Sequence, residues 1–364
     1  MGGYDDDANM DISPYNSTAV ASPWTLETVA ISLAFALMFL VGAVGNGLVL
    51  AVLLRTGKMR TETTRVFLLN LGVADLGFVL CCVPFQATVY TVDRWVFGPV
   101  LCKLVHFMIF LTMHASIFTL AAVSLDRYLA ICYPLHSREM RTPKNALASV
   151  CLVWLLALVF SGPYLSYYRQ VDLGGAPVCA PVWQPTPRIA MDLCTFVFGY
   201  LVPLAVLSLT YARTVRHLWT SVDPEVEDAM GECRRAKRRV TKLVVGVAAL
   251  FCLCWLPHHL LILCMWFGPP FPLNRTTYAL RILSHLLAYT NSCLDPVVYA
   301  LVSRHFRKGF GKLYCCCSPK KRPAHSRVHT ALGVHTASSA ETEEPAAAAA
   351  VARGGVAPRS SLPS

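Results

Sequence analysis

Charge is what this 364-residue chain has least of: Asp, Glu, Lys and Arg together make up 15% of it, against ~25% in soluble globular proteins. The shortage is concentrated. No charged residue occurs in Thr28–Leu54, Leu104–Leu125, Asn145–Tyr168, Leu193–Ala212 or Leu243–Asn274, and each run reaches the ~20 residues that cross a bilayer core. Two further runs, Val66–Tyr90 and Ile282–Ser303, qualify with one acid each, Asp75 and Asp295. Seven such runs exclude a soluble globular domain. In lipid every backbone polar group must be satisfied internally, so the runs predict an all-α bundle of seven transmembrane helices.

Base is also missing where it matters. Nothing basic precedes Arg55, while Asp5, Asp6, Asp7, Asp11 and Glu27 are acidic. The start therefore lacks the basic, apolar pattern of a cleavable signal peptide, and the first span is expected to direct insertion. Loops 55–65, 127–144 and 213–242 and the tail at 304–327 carry 24 of the 32 Lys and Arg. Cytoplasmic loops hold the excess of base, so the amino terminus is expected outside and the carboxyl terminus inside. The net charge of +11 is that of an inner membrane face and does not indicate nucleic-acid binding. No internal repeat and no second folded domain is present. The chain divides into an outer tail (1–26), the bundle (27–303), a short helix (304–314) and a cytoplasmic tail (315–364).

Asn16-Ser17-Thr18 and Asn274-Arg275-Thr276 are glycosylation sequons on the expected outer side, Asn16 being the preferred of the two. The 304–314 stretch alternates Phe306, Phe310, Leu313 and Tyr314 with Arg304, Arg307, Lys308 and Lys312. That spacing suits an amphipathic helix lying on the membrane surface. Cys315, Cys316 and Cys317 follow it as palmitoylation candidates, with three unmodified thiols the alternative. The remaining tail cannot bury a core. Its Thr336, Ser338, Ser339 and Thr342 are either phosphorylation sites or part of an inert linker.

Of the fifteen cysteines most lie within spans, where the thiol packs as a small apolar group. No CxxC pair repeats at zinc spacing. Cys102, at the head of the third span, and Cys179, in the 169–188 loop, sit at the oxidising outer edge, where a bond between them would pin that loop over the bundle. Inside the spans, acids are expensive and mark functional sites by default. Asp75 and Asp295 are joined there by Asn46, Asn70, Asn291 and Ser292. These groups either line a hydrated pocket or tie helices together. Pro203, Pro257 and Pro296 break their spans and offer hinges.

The motifs converge. GNGLVL around Asn46, LNLGVADL around Asp75, Cys102, Asp126-Arg127-Tyr128 at the inner end of the third span, Trp154, Pro203 with Tyr211, CWLP at 254–257 and DPVVY at 295–299 together resemble the rhodopsin-like G-protein-coupled receptors over residues 25–315. The resemblance implies a receptor, not an enzyme, and no catalytic residue. It implies that Asp126, Arg127 and Tyr128 hold the inactive state and that Arg127 meets Tyr211 and Tyr299 in the active one. Ile117, Pro203 and Phe251 would be the connector, Trp255 the cavity floor, and Pro296 part of the last motif. Asp75, Ser116, Asn291, Ser292 and Asp295 match a sodium site, the only cofactor expected. Asp295 stands where many members carry Asn, and Lys237 where some place an acid facing Arg127.

Ile109 occupies the place of the amine receptors' Asp, and Tyr289 that of the opsins' Lys, which argues against a monoamine or retinal. Longer strings, among them VPFQATVYT, SGPYLSYYRQ, AMDLCTFVF and LPHHLLILC, resemble the galanin receptors, nearest the type 2 subtype. The resemblance implies a neuropeptide ligand whose amino-terminal Trp and Tyr enter the bundle, with heterotrimeric G proteins (Gq/11, with Gi/o as a second route), receptor kinases, arrestin and membrane lipid as partners at the plasma membrane. Phe85, Tyr90, His106, Tyr164, His258, His259, Ile262, Phe271, Tyr278, Arg281, His285 and Tyr289 are the candidate contacts, and an extra proline in FGPPFPL bears on Phe271. Related peptides of the kisspeptin or allatostatin type are the alternative. A hydrolase would need an acid near the histidines, and a transporter internal repeats.

Trp255, His258, His259 and Ile262 fall at i, i+3, i+4 and i+7, on one helix face. The adjacent histidines diverge by about 100° within it. His259 is the expected ligand contact, and His258 either a second contact or an imidazole satisfied by a carbonyl that Pro257 frees.

Overall fold

The computed structural model describes residues 26–55, 62–92, 94–220, 227–268 and 274–302, with Phe306, Arg307 and Gly309 beyond them. Asn16, Phe271, Cys315–Cys317, most of the 304–314 helix, the tail and the side chain of Lys237 lie outside the described residues.

Helix α1 (Leu26–Arg55) has Glu27 in its first turn and Arg55 in its last, the ends that the helix dipole favours for each sign. Helices α2 (Glu62–Cys81) and α3 (Val83–Val92) make one span broken at Cys82. Pro84 has no N–H for the carbonyl of Leu80 one turn back, and Gln86 N resumes the ladder to Cys82 O at 3.1 Å. Helix α4 (Gly98–Cys132) is followed by a 3-10 turn at His136–Arg138 and by α5 (Pro143–Ser161). Thr142 caps α5, its hydroxyl accepting from Asn145 N at 3.2 Å. Gly162-Pro163 closes the helix before the single turn α6 (Tyr164–Tyr167).

The outer loop that follows is ordered as an antiparallel hairpin, β1 (Tyr168–Leu173) paired with β2 (Ala176–Pro181). Its turn is Gly174-Gly175 at φ +61° and +86°, and a two-residue turn with positive φ at both positions selects glycine. Helix α7 (Pro185–Phe196), a π-helical stretch (Val197–Leu201) and α8 (Val202–Thr220) form one span. Pro203 cannot donate to Gly199 O, and the wide turn absorbs the missing bond. Helix α9 (Glu227–Phe267) contains Pro257, and α10 (Arg275–Val302) contains Pro296. Asn274 caps α10: its Oδ1 accepts from Thr277 N at 3.0 Å, and Thr277 Oγ1 accepts from Asn274 N at 3.1 Å.

Six spans, Leu26–Arg55, Thr63–Val92, Gly98–Cys132, Pro143–Tyr167, Pro185–His217 and Val245–Phe267, are long and apolar enough to cross a membrane. Helix α10 is as long but carries Arg281, Asn291 and Asp295, and it joins the bundle by packing on α9 and α1. Helix α4 runs through the middle, against α2, α5, α8 and α9. Leu33, Leu37, Val159, Leu253 and Leu301 face outward, while Asn46, Asn70, Asp75, Asn291 and Asp295 are buried. This inversion is what a bilayer demands, since lipid tails give apolar side chains no reason to hide.

Contact between the helices therefore rests on small residues and polar ties. A Cβ on Gly42 would meet Val79 Cγ2 at 2.7 Å, and one on Gly45 would meet Pro296 at 2.9 Å. Asn46 Nδ2 donates to Ser292 O at 2.8 Å, joining α1 to α10. Asn70 Nδ2 donates to Thr119 Oγ1 and accepts at Oδ1 from Trp154 Nε1, both at 2.7 Å, joining α2, α4 and α5. Phe306 stacks on Tyr299 at 5.2 Å, and Arg307 Nη1 donates to Leu301 O at 2.6 Å, capping the end of α10. A Trp154→Phe substitution keeps the ring and removes the indole donor. It should lower the stability of the purified protein by about 1 kcal/mol, read as a thermal midpoint a few degrees lower in a thiol-dye unfolding assay.

Candidate functional site

The outer end of the bundle is built from the top down. The Cys102–Cys179 disulfide, with Cα atoms 5.6 Å apart, ties β2 to the head of α4, as the outer-edge placement of the two cysteines led one to expect. Under that tie the His106 ring stacks on Tyr168 at 3.9 Å, and His106 Nδ1 donates to Cys102 O at 2.8 Å. Trp95 is fully buried, its Nε1 donating to Gly98 O at 2.7 Å and its backbone N–H to Pro177 O at 2.6 Å. Phe97 packs edge-on to both Trp95 and Phe85. Across the bundle, Tyr90 OH and His285 Nδ1 share a hydrogen bond of 2.7 Å, and the His285 and His258 rings lie 4.9 Å apart. Trp255, buried at 5% exposure, lies below His258 at 5.9 Å.

Phe85, Tyr90, His106, His258, Ile262 and His285 are half-buried, as lining residues should be, and Tyr278 and Arg281 are exposed at the rim. Three expected contacts sit deeper. Tyr164 is fully buried, stacked on Phe110 at 3.5 Å with its OH on Thr195 at 2.8 Å. Tyr289 packs beneath His285 against Phe78 and Phe35. His259 is 3% exposed, wedged between Tyr200 at 5.0 Å and Phe196 at 5.6 Å. Of the paired histidines, His258 stands toward His285 on α10 and His259 toward Tyr200 in the π-helical stretch. The 100° between them is real, but the rotation of α9 about its axis decides which one meets the cavity. Two parts of the outer rim were missed: Tyr168 on β1, and the α7–α9 clasp in which Trp266 Nε1 donates to Asp192 Oδ2 at 2.8 Å with Arg188 stacked over the indole at 5.4 Å. The GG turn signalled the hairpin, whereas nothing local signalled the clasp.

Halfway down, Asp75, Ser116, Asn291, Ser292 and Asp295 are all buried. Ser116 Oγ donates to Asp75 Oδ1 at 3.3 Å. Asp75 Oδ2, Asn291 Oδ1 and both Asp295 oxygens have no protein partner. Beside them, between Ser116, Asn291, Ser292, Phe251 and Trp255, is a void of about 10 Å³, room for one water-sized group. Hydroxyl and amide oxygens of Ser116, Asn291 and Ser292 line the void, and the Asp75 carboxyl is joined to it through Ser116.

At the inner end Arg127 Nε donates to Asp126 Oδ2 at 3.0 Å, and its Nη2 donates to the same oxygen. A second guanidinium joins them: Arg141 Nε donates to Asp126 Oδ1 at 2.7 Å and Nη2 to Oδ2 at 3.3 Å. On its other side Arg127 borders a cavity of about 210 Å³ lined by Tyr211, Leu204, Leu207, Ser208, Thr241 and Ala248. Arg127 meets neither Tyr211 nor Tyr299 through a hydrogen bond. Tyr211 is exposed beside the cavity, and Tyr299 is buried with Phe306. Ile117 and Phe251, both fully buried, fill the core between this end and Trp255.

A bundle of seven helices with a disulfide-tied outer hairpin and an Asp-Arg pair at its inner end is the build of a heptahelical membrane receptor. The sequence model of the family described as 7 transmembrane receptor (rhodopsin family) matches residues 45–299. Galanin receptor 2a of Danio rerio is 64% identical over 321 residues, covering 88% of this chain and 87% of the relative. Galanin receptor type 2 of Rattus norvegicus is 65% identical over 325 residues (88% and 86%), and that of Mus musculus 69% over 290 residues (80% and 77%). The chain belongs to the galanin receptors of the rhodopsin family, multi-pass plasma-membrane receptors rather than enzymes.

The mid-bundle oxygens carry a prediction of their own. Exchanging choline for sodium at constant ionic strength should raise the thermal midpoint of the purified receptor, because a ligand of the folded state stabilises it. Asp75→Asn should abolish that rise, and an equal rise in both proteins would contradict the assignment.

Proposed function

We propose that this chain is a receptor for galanin or a galanin-like peptide, with its amino terminus outside and its carboxyl terminus inside, signalling through Gq/11 to phospholipase C and calcium, with Gi/o as a second route. The observation that carries the reading is the aromatic cluster at the outer end of the bundle: Phe85, Tyr90 and Tyr168 with imidazoles at His106, His258 and His285. Amphipathic aromatic side chains of a peptide need such a site, an apolar body with a few polar points. The names of the relatives support the same ligand. The surplus of base on the expected inner loops supports the orientation.

In this reading the peptide bears on His258 and His285 above Trp255. Helix α9 pivots near Pro257 and its inner end leaves α4. Arg127 then gives up Asp126 for the cavity that Tyr211 borders, and Tyr299 turns to join it. A G protein takes the opened inner face. Asp75, Ser116, Asn291, Ser292 and Asp295 would hold a sodium ion, whose charge would offset the two buried acids. Receptor kinases and arrestin would act on the tail, and palmitoylated Cys315–Cys317 would anchor it in lipid.

The test is expression in cells that lack galanin receptors, followed by calcium and cyclic-AMP responses to galanin. A nanomolar calcium response is expected, whereas silence to galanin with a response to a kisspeptin or allatostatin-type peptide would overturn the assignment. The histidines separate under the same assay. His258→Ala should lower potency at least tenfold at normal surface expression, since it removes a desolvated polar anchor. His259→Ala should instead reduce surface expression and thermal stability, because it empties a packed site.

A further inference from the structure

We propose that Arg141 is the counter-ion Asp126 keeps when Arg127 leaves it, a positioning residue that makes the inner switch able to open. The inference rests on the reading above, in which release of Arg127 is the activating step, and adds a residue to it.

Asp126 is 9% exposed, and its two oxygens receive two guanidiniums. Arg127 places two of its donors, Nε and Nη2, on one oxygen, Oδ2. Arg141 spans the carboxylate, Nε on Oδ1 at 2.7 Å and Nη2 toward Oδ2 at 3.3 Å. The fork of a guanidinium matches a carboxylate in this two-point way. Arg141 therefore holds Asp126 without depending on Arg127.

The loop that carries Arg141 is fastened to elements that the opening of α9 does not touch. Ser137, 1% exposed, donates through Oγ to Leu129 O at 3.1 Å, and Arg141 N donates to Ser137 O at 3.0 Å. Asn145 Nδ2 donates to Met140 O at 2.7 Å, tying the loop to the first turn of α5. Arg141 Nη2 also reaches Thr63 Oγ1 on α2 at 3.5 Å. None of these partners lies on α8 or α9. Arg127, by contrast, borders the 210 Å³ cavity that α8 and α9 line, so it has room to move while Arg141 stays.

The consequence is a difference in what opening costs. A carboxylate stripped of its only partner in a buried setting is strongly destabilising. With Arg141 in place the departing Arg127 leaves behind a carboxylate still paired at both oxygens. Without it, Asp126 would cling to Arg127 and the closed state would be favoured.

The experiment measures basal and galanin-evoked calcium signalling in cells expressing Arg141→Ala, Arg141→Lys, Asp126→Asn and the double variant Asp126→Asn with Arg141→Ala, each normalised to surface expression. Arg141→Ala should lower basal signalling and raise the galanin concentration for half-maximal response roughly tenfold, and Arg141→Lys should restore part of it. Asp126→Asn should raise basal signalling, and on that background Arg141→Ala should add nothing, because there is no carboxylate left to pair. Raised basal signalling in Arg141→Ala would make Arg141 a lock and overturn the proposal. So would a loss of potency that persists on the Asp126→Asn background, since that would mark a merely structural role. If Asp126→Asn alone leaves basal signalling unaltered, the underlying reading of the switch falls, and the proposal with it.

Discussion

A polar group inside a bilayer has no water to turn to, and everything distinctive about this structure follows from that constraint. Soluble proteins bury oil and expose charge. Here Leu33, Leu37 and Leu253 face out while Asn46, Asp75, Asn291 and Asp295 face in, and each buried polar atom must find a partner or a purpose. Some become ties: Asn70 joins three helices through Thr119 and Trp154. Others, Asp75 Oδ2 and both Asp295 oxygens, accept from no protein donor. The Asp126 carboxylate is satisfied twice over, by the guanidiniums of Arg127 and Arg141.

The same constraint explains why the helices can hinge. Pro203, Pro257 and Pro296 interrupt their spans, as Pro84 does in α3, and the surroundings of each break differ. The π-helical stretch Val197–Leu201 absorbs Pro203. Tyr200 OH donates to Cys252 O at 3.0 Å, the carbonyl next to the Leu253 O that Pro257 leaves without its helical donor. Pro296 nests against Gly45 at a distance that no side chain there would permit. These three breaks lie between the outer aromatic cluster and the inner Asp-Arg pair, where spans without a continuous hydrogen-bond ladder can hinge.

The bundle was legible in the sequence because lipid imposes a one-dimensional rule: a run of about twenty residues without charge. The motif residues were legible as well, since DRY, CWLP and DPVVY carry their own spacing. What escaped was anything that depended on rotation or on distant partners. Helical periodicity put His258 and His259 on one face but could not say which points inward, because packing against Phe196 and Tyr200 sets the rotation of α9. Tyr164 reads as a cavity aromatic and is instead held behind Phe110. Arg141 looked like one more basic residue of an inner loop. Its role comes from a fold that returns it to Asp126, fifteen positions back in sequence.

The central claim is that a peptide in the outer cavity parts the inner ends of α4 and α9. The most direct test is a distance. Fluorophores introduced at Leu135, 88% exposed just after α4, and at Lys242 on α9 would report their separation by energy transfer in the purified receptor. Addition of galanin together with a G protein should lengthen that distance by several ångströms, on the order of one helical turn. An unchanged distance with the peptide demonstrably bound would contradict the account.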